Sequence, residues 1–152
     1  MRSFEGQHSD NVAIKRTREQ KQRQLVQLKE QLATLKAHPG RVIAFFQPHG
    51  YGPLRQMGAE LAEVLATRLD PDDVTILCDP VYFGGTVDRS QGSERIVHLI
   101  GTHGGHAEYV PAREACADRI VEIARPGDRV VIMGARDDTL SQFARGILGR
   151  LG

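Results

Sequence analysis

The chain has 152 residues, of which 40% are hydrophobic and 26% charged, with a net charge of +1 and two cysteines. That size and apolar content suit one domain with its own core and no need of a disulfide or metal staple. No stretch approaches the roughly 20 apolar residues that cross a bilayer, and Met1-Arg-Ser-Phe-Glu5 lacks a signal peptide's apolar segment. Cys78 and Cys116 each lie in an apolar run, which reads as buried reduced thiols, so a cytoplasmic protein without membrane contact is expected.

Charge is unevenly placed. Residues 1–40 carry eight Lys/Arg against four Asp/Glu, and residues 41–152 carry twelve against fifteen. A basic leader therefore precedes a slightly acidic domain, with His38-Pro39-Gly40 as the helix stop between them. Residues 1–12 are polar and aperiodic and are expected to be disordered, whereas 13–38 form an N-terminal helix, basic and then amphipathic. In that helix Leu25, Leu28, Leu32 and Leu35 make one apolar stripe, so its second half should pack on the domain while its first half projects into water. Two heptads are too few to specify a coiled coil, but a short homodimer contact through this helix stays open. The basic run Lys15 to Arg23 has no interleaved aromatic, and ordinary solvation explains it better than nucleic-acid binding.

From residue 41 strands and helices alternate. Val42 to Phe46 is the first strand, and Pro53 opens a helix with Leu54, Met57, Leu61, Leu65 and Leu69 inward. Asp73 to Cys78 is the second strand, followed by the long loop Asp79 to Gln91. A helix around Glu94 to Ile100 leads to a short strand near Glu108 to Val110. The next helix carries Ala115, Cys116, Ile120 and Ile123, and Arg129 to Met133 is the fourth strand. Thr139-Leu-Ser-Gln142 reads as a capping box opening a last helix with Leu140, Phe143, Ile147 and Leu148 inward. The fold class is α/β, a Rossmann-like, doubly wound and mostly parallel sheet preceded by the N-terminal helix.

Topology then places a site. If the first three strands step outward and the fourth returns beside the first, the switch point lies between strands one and four, where open α/β sheets bind ligands. The abrupt break of the apolar run Arg41 to Phe46 into a glycine-rich turn should bring Gln47, His49, Gly50 and Tyr51 to one point on the surface. Gly134, Arg136 and Asp137 follow the fourth strand. The loop after the second strand, longer than a connection requires, contributes Asp79, Tyr82, Asp88 and Arg89.

Plainer roles compete with each of these. His49 serves equally well as a partner of a loop carbonyl, the glycines as turn formers, and Arg136-Asp137-Asp138 as a surface ion pair beside a helix start. His98, His103 and His106 do not have the spacing of a zinc site, so no metal is expected. Neither a dinucleotide fingerprint, nor a phosphate-binding P-loop, nor a nucleophile elbow is present.

The segments Gly40-Arg-Val-Ile-Ala-Phe-Phe-Gln-Pro-His-Gly-Tyr-Gly-Pro53, Asp79-Pro-Val-Tyr82, Tyr109-Val-Pro111 and Arg125-Pro-Gly-Asp-Arg-Val-Val-Ile-Met-Gly-Ala135 occur in the order of a known family. The chain resembles the C-terminal domain of the Mur ligases, in the UDP-N-acetylmuramate–amino acid ligase branch, over residues 28 to 150. The resemblance implies a Rossmann-like domain that closes over a central ATPase domain, using ATP and Mg, during amide-bond formation in peptidoglycan precursor synthesis. The domain would help bind the incoming amino acid or a muramyl peptide. In the alanine-adding branch the turn reads Gln-Pro-His-Arg-Tyr-Ser-Arg, and here the two arginine positions are Gly50 and Pro53, which cannot grip a carboxylate. Arg55, one turn into the helix, is the candidate substitute. The family's upstream Asp-Asp-Tyr-Ala-His segment is replaced by the basic, Gln-rich leader.

Without a P-loop, the chain is expected to bind neither ATP nor Mg tightly by itself and to need an ATPase domain in trans for chemistry. Two function classes stand beside each other: a substrate-binding ligase domain, and a non-enzymatic binding or self-association module derived from it. A small enzyme using His49 as general base is least favoured, because no nucleophile or paired acid accompanies it.

Overall fold

The computed structural model describes residues 4–48, 50–80, 92–134 and 138–152, with side chains from residue 19 onward apart from residue 21. Among them, helix α1 (Phe4–Lys36) precedes the alternation β1 (Val42–Gln47), α2 (Tyr51–Thr67), β2 (Val74–Leu77), α3 (Ser93–Thr102), β3 (Ala107–Tyr109), α4 (Arg113–Ile123), β4 (Arg129–Gly134) and α5 (Thr139–Leu151). The four strands form one parallel sheet in the order β3-β2-β1-β4, so the fourth strand does return beside the first.

Alternation along β1 divides the core in two, because successive side chains leave opposite faces of a strand. Val42, Ala44 and Phe46 pack with Leu54, Leu61 and Leu65 of α2, Ile96 and Ile100 of α3, and Leu25, Leu28 and Leu32 of α1. Ile43 and Phe45 pack on the other face with Cys116 and Ile120 of α4 and Ile147 of α5. Every β1 residue is buried, as a central strand covered on both faces must be.

The leucine stripe of α1 is thus part of the core, with Leu32 fully buried and Leu35 packed at its edge. The helix runs from Phe4, earlier than Ala13, and takes in most of the segment expected to be disordered. No Gly or Pro lies between Gln7 and Lys36, so no stop signal intervenes. Its C-terminal end is tied down by Arg129 of β4. That guanidinium donates to the Leu35 carbonyl, to the His38 carbonyl at 2.8 Å and to the Gly40 carbonyl at 3.2 Å, a cation placed where a helix's last carbonyls need donors. Asp73 joins three elements at the same end of the sheet. Its carboxylate accepts the Val42 N–H and the Asp70 N–H, each at 2.7 Å, and meets Lys36 Nζ at 3.0 Å.

Two details of α5 differ from the sequence reading. The N-cap is Asp138, without a side-chain capping bond, and Thr139, read as the N-cap of a capping box, is instead the first helical residue. Leu148 is 69% exposed, because it follows the buried Ile147 by about 100° around the helix and falls off the Leu140, Phe143, Ile147 stripe.

Candidate functional site

Strands β1 and β4 run in register to the switch point, where Gln47 lies opposite Gly134. Gly134 has φ +124°, and a Cβ there would sit 2.1 Å from the Gln47 carbonyl oxygen, so the sheet closes at this edge only over a glycine. Gln47 is not presented at the surface as expected. It is 3% exposed, because its position in the strand turns it toward the α4 and α5 face. There its Oε1 accepts from Arg113 Nη1 at 3.3 Å, and the Arg113 guanidinium lies 5.3 Å from the Phe143 ring centroid. Tyr51, likewise expected outside, is 5% exposed, since the first turn of α2 lays its ring against Gly92. Gly50 precedes that turn in extended backbone, with its carbonyl accepting the Leu54 N–H at 3.2 Å.

Two clefts open along the C-terminal edge of the sheet. The larger, about 930 Å³, lies over the switch point between Phe46, Pro48, Pro53, Met133 and Gly134 on one side and α1 on the other. The second, about 740 Å³, lies beyond β2 and is walled by Tyr51, Asp79, Arg95, His98 and Tyr109. Within it Tyr109 donates its hydroxyl to Asp79 Oδ1 at 2.6 Å, while the Asp79 N–H is held by the Pro111 carbonyl at 3.0 Å. Burial first, and then the Asp79 carboxylate, push the Tyr109 phenol well above its ordinary range, so it stays a neutral donor. Arg95 brings a buried Nη1 that meets no hydrogen-bond partner among the described residues.

The sequence candidates therefore separate. Gln47 and Gly134 meet at the switch point, while Tyr51 and Asp79 belong to the second cleft. Arg55 sits on α2 and lines neither cleft. His49, Tyr82, Asp88, Arg89, Arg136 and Asp137 lie outside the described residues. Arg113 and Arg95 escaped the sequence reading because each is an arginine near the start of a helix, where only the fold reveals what it reaches. Among the described residues no three His, Cys, Asp or Glu side chains are grouped to hold a metal ion. His98 faces the second cleft, His103 caps α3, and His106 lies 4.0 Å from Glu108. No helix among these residues is long and apolar enough to cross a membrane.

A family model described as Mur ligase, glutamate ligase domain, matches residues 24–136, from the middle of α1 to the end of β4. The chain belongs to this Mur ligase family.

Similar proteins include the UDP-N-acetylmuramate–L-alanine ligases of Pelotomaculum thermopropionicum, 36% identical over 110 residues, Rhizobium meliloti, 38% over 105, and Brucella anthropi, 39% over 115. These matches take in 69%, 68% and 74% of the chain but 23%, 21% and 23% of the relatives' own length. The chain thus spans less than a quarter of the Mur ligases it matches. The matched span starts inside α1, in keeping with a core that includes Leu25, Leu28 and Leu32, so the second half of the leader and the Mur ligase sheet are one folded unit. ATP and Mg, implied by the Mur ligase resemblance, find neither a P-loop in this sequence nor a carboxylate cluster among the described residues, and no step through them is assigned to this chain.

Proposed function

We propose that this chain is the substrate-binding C-terminal domain of an ATP-dependent Mur-type amide ligase of peptidoglycan precursor synthesis, incomplete for catalysis by itself. The observation that carries the reading is the switch point at Gln47 and Gly134, opening on a cleft of about 930 Å³ in a chain of the Mur ligase family. The relatives' names supply the substrate class, UDP-N-acetylmuramate and L-alanine. In this reading the domain orients an incoming amine beside an acyl group activated on an ATPase domain supplied in trans, and closure excludes water from that junction.

Hydrogen exchange tests this directly. L-alanine, UDP-N-acetylmuramate and ATP with Mg are added singly and together, with and without a P-loop ATPase domain of a Mur ligase. Slowed exchange over residues 47–55 with the amino acid or the muramyl ligand supports the reading. Exchange unchanged across the whole chain in every mixture rules it out.

A further inference from the structure

Strand β4 lies at the outside of the sheet, yet its sequence is that of an interior strand. In the order β3-β2-β1-β4 it has a neighbouring strand on one side only among the described residues. Between Arg129 and Gly134 it reads Val-Val-Ile-Met, with no charge and no proline, the devices by which an exposed edge ordinarily avoids pairing. All of β1 is buried, whereas Arg129 to Ile132 keep part of their surface in water. The Arg129 N–H donates to the Arg41 carbonyl at 2.8 Å, toward β1. Backbone groups alternate in direction along a strand, so the N–H and C=O of Val130 and Ile132 are aimed away from β1.

Helix α5 brings a second exposed apolar feature to the same side. Arg119 of α4 reaches Glu108 of β3 at 2.7 Å, whereas Phe143 of α5 packs on Phe45 of β1 with ring centroids 4.9 Å apart. Helix α5 therefore lies between α4 and the open edge. Ile147 is buried against the sheet, and Arg150 turns to Asp118 of α4 at 2.8 Å. At about 100° per residue, Leu148 leaves the helix opposite Arg150 and away from α4, with Leu151 between Leu148 and Ile147. These two leucines, 69% and 40% exposed, thus flank the open edge of β4.

We infer that this edge is an interface with a second copy of the same chain, β4 pairing antiparallel with its counterpart across a two-fold axis. With Val131 opposite its own copy, Val130 and Ile132 of each chain exchange N–H···O=C bonds with Ile132 and Val130 of the other, and the two four-stranded sheets become one. The same two-fold turns α5 toward the partner's α5, so a single operation covers the edge together with Leu148 and Leu151. A partner without this symmetry would have to bring both a strand and an apolar helix of its own. Six residues at about 3.3 Å each make an edge about 20 Å long, and with a helical layer on each face it offers an area on the order of the 800 Å² per partner of a stable dimer. Charge does not oppose the contact, because the net charge is +1, Arg150 is held by Asp118, and Arg129 is held by carbonyls at the end of α1. Ile132 also lines the larger cleft, so the second copy closes the outer side of that cleft.

Sedimentation velocity of the full chain, from low micromolar to submillimolar concentration, is expected to show a monomer–dimer equilibrium. The double variant Leu148→Lys, Leu151→Lys should raise the dissociation constant by about tenfold or more, since its ammonium groups would have to leave water to keep the contact. Both side chains are exposed, so the thermal midpoint of the dilute protein should not change. Amide exchange resolved by NMR gives the readout specific to the strand. In the double variant Val131 and Met133 should exchange slowly and Val130 and Ile132 fast, whereas in the concentrated wild type all four should be slow. A monomer at every concentration overturns the inference. So does a dimer whose Val130 and Ile132 amides still exchange fast, the result expected of a contact through α1, or a dimer that the two lysines leave unchanged. None of these outcomes bears on the proposed function, whose ligand site needs one copy only.

Discussion

Gly134 ends β4 and Gly50 directly precedes α2, and the backbone asks different things of them. Gly134 combines φ +124° with a Cβ position 2.1 Å from the Gln47 carbonyl oxygen, whereas Gly50 is extended at φ 167° and a Cβ would meet Pro53 at an ordinary 3.7 Å. Gly134→Ala should cost about 3 kcal/mol or more, through strain and overlap together, while Gly50→Ala should stay within about 0.5 kcal/mol. Urea denaturation of the two variants checks this, and equal losses would mean the switch-point geometry is wrong. The cysteines show the same dependence on surroundings. Burial pushes the Cys78 thiol up to about 11 and Cys116 to about 12, so both stay protonated at neutral pH. Neither should react with iodoacetamide at pH 8 in the native protein, and both should react once it is unfolded.

At the scale of elements, α1 is joined to the sheet both by packing and by charge. Leu32 is fully buried in the core, so Leu32→Ala should destabilise by about 2–5 kcal/mol, and a measured loss below about 1 kcal/mol would show that the helix is not docked. The turn from α4 into β4 adds a pH dependence. Arg41 meets Asp128 at 2.6 Å, and this bond, aided by the Arg125 N–H, holds the Asp128 carboxyl below its ordinary 3.8. Since the folded value is the lower one, the contribution to stability is complete above the unfolded value and is lost as pH falls through the folded one. Unfolding free energies measured from about pH 5 down to about pH 2.5 should therefore fall, and fall less steeply in Asp128→Asn. An identical slope in that variant would assign the acid sensitivity elsewhere, with Glu108, lowered by Arg119, the next group to test.

Across the whole molecule, the features read correctly from sequence share a physical basis. Continuous apolar runs such as Val42 to Phe46, and stripes such as Leu25, Leu28 and Leu32, report burial through the periods of strand and helix, and burial is what folding selects most strongly. The alternation of these elements, with the handedness of parallel crossovers, offered the arrangement with β4 beside β1 as one condition, and the sheet adopts it. The directions of individual side chains did not follow from such periods. Gln47 and Tyr51 were expected outside and lie buried, because a strand's parity and the first turn of a helix set where those two side chains point. Arg113 reaches Gln47 across 66 residues of sequence, a meeting that no local pattern encodes. Gln20, Gln24, Gln27 and Gln31 of α1 read as a solvated helix face until docking of the leucine stripe turns them over the larger cleft. By itself, then, the sequence determined the α/β sheet, its alternation of elements, the family and a candidate edge between strands one and four, because hydrophobic periodicity and ordered motifs are local. Which side chains face that edge was decided only by tertiary structure, because it depends on how helices rotate and strands register as distant apolar surfaces are removed from water.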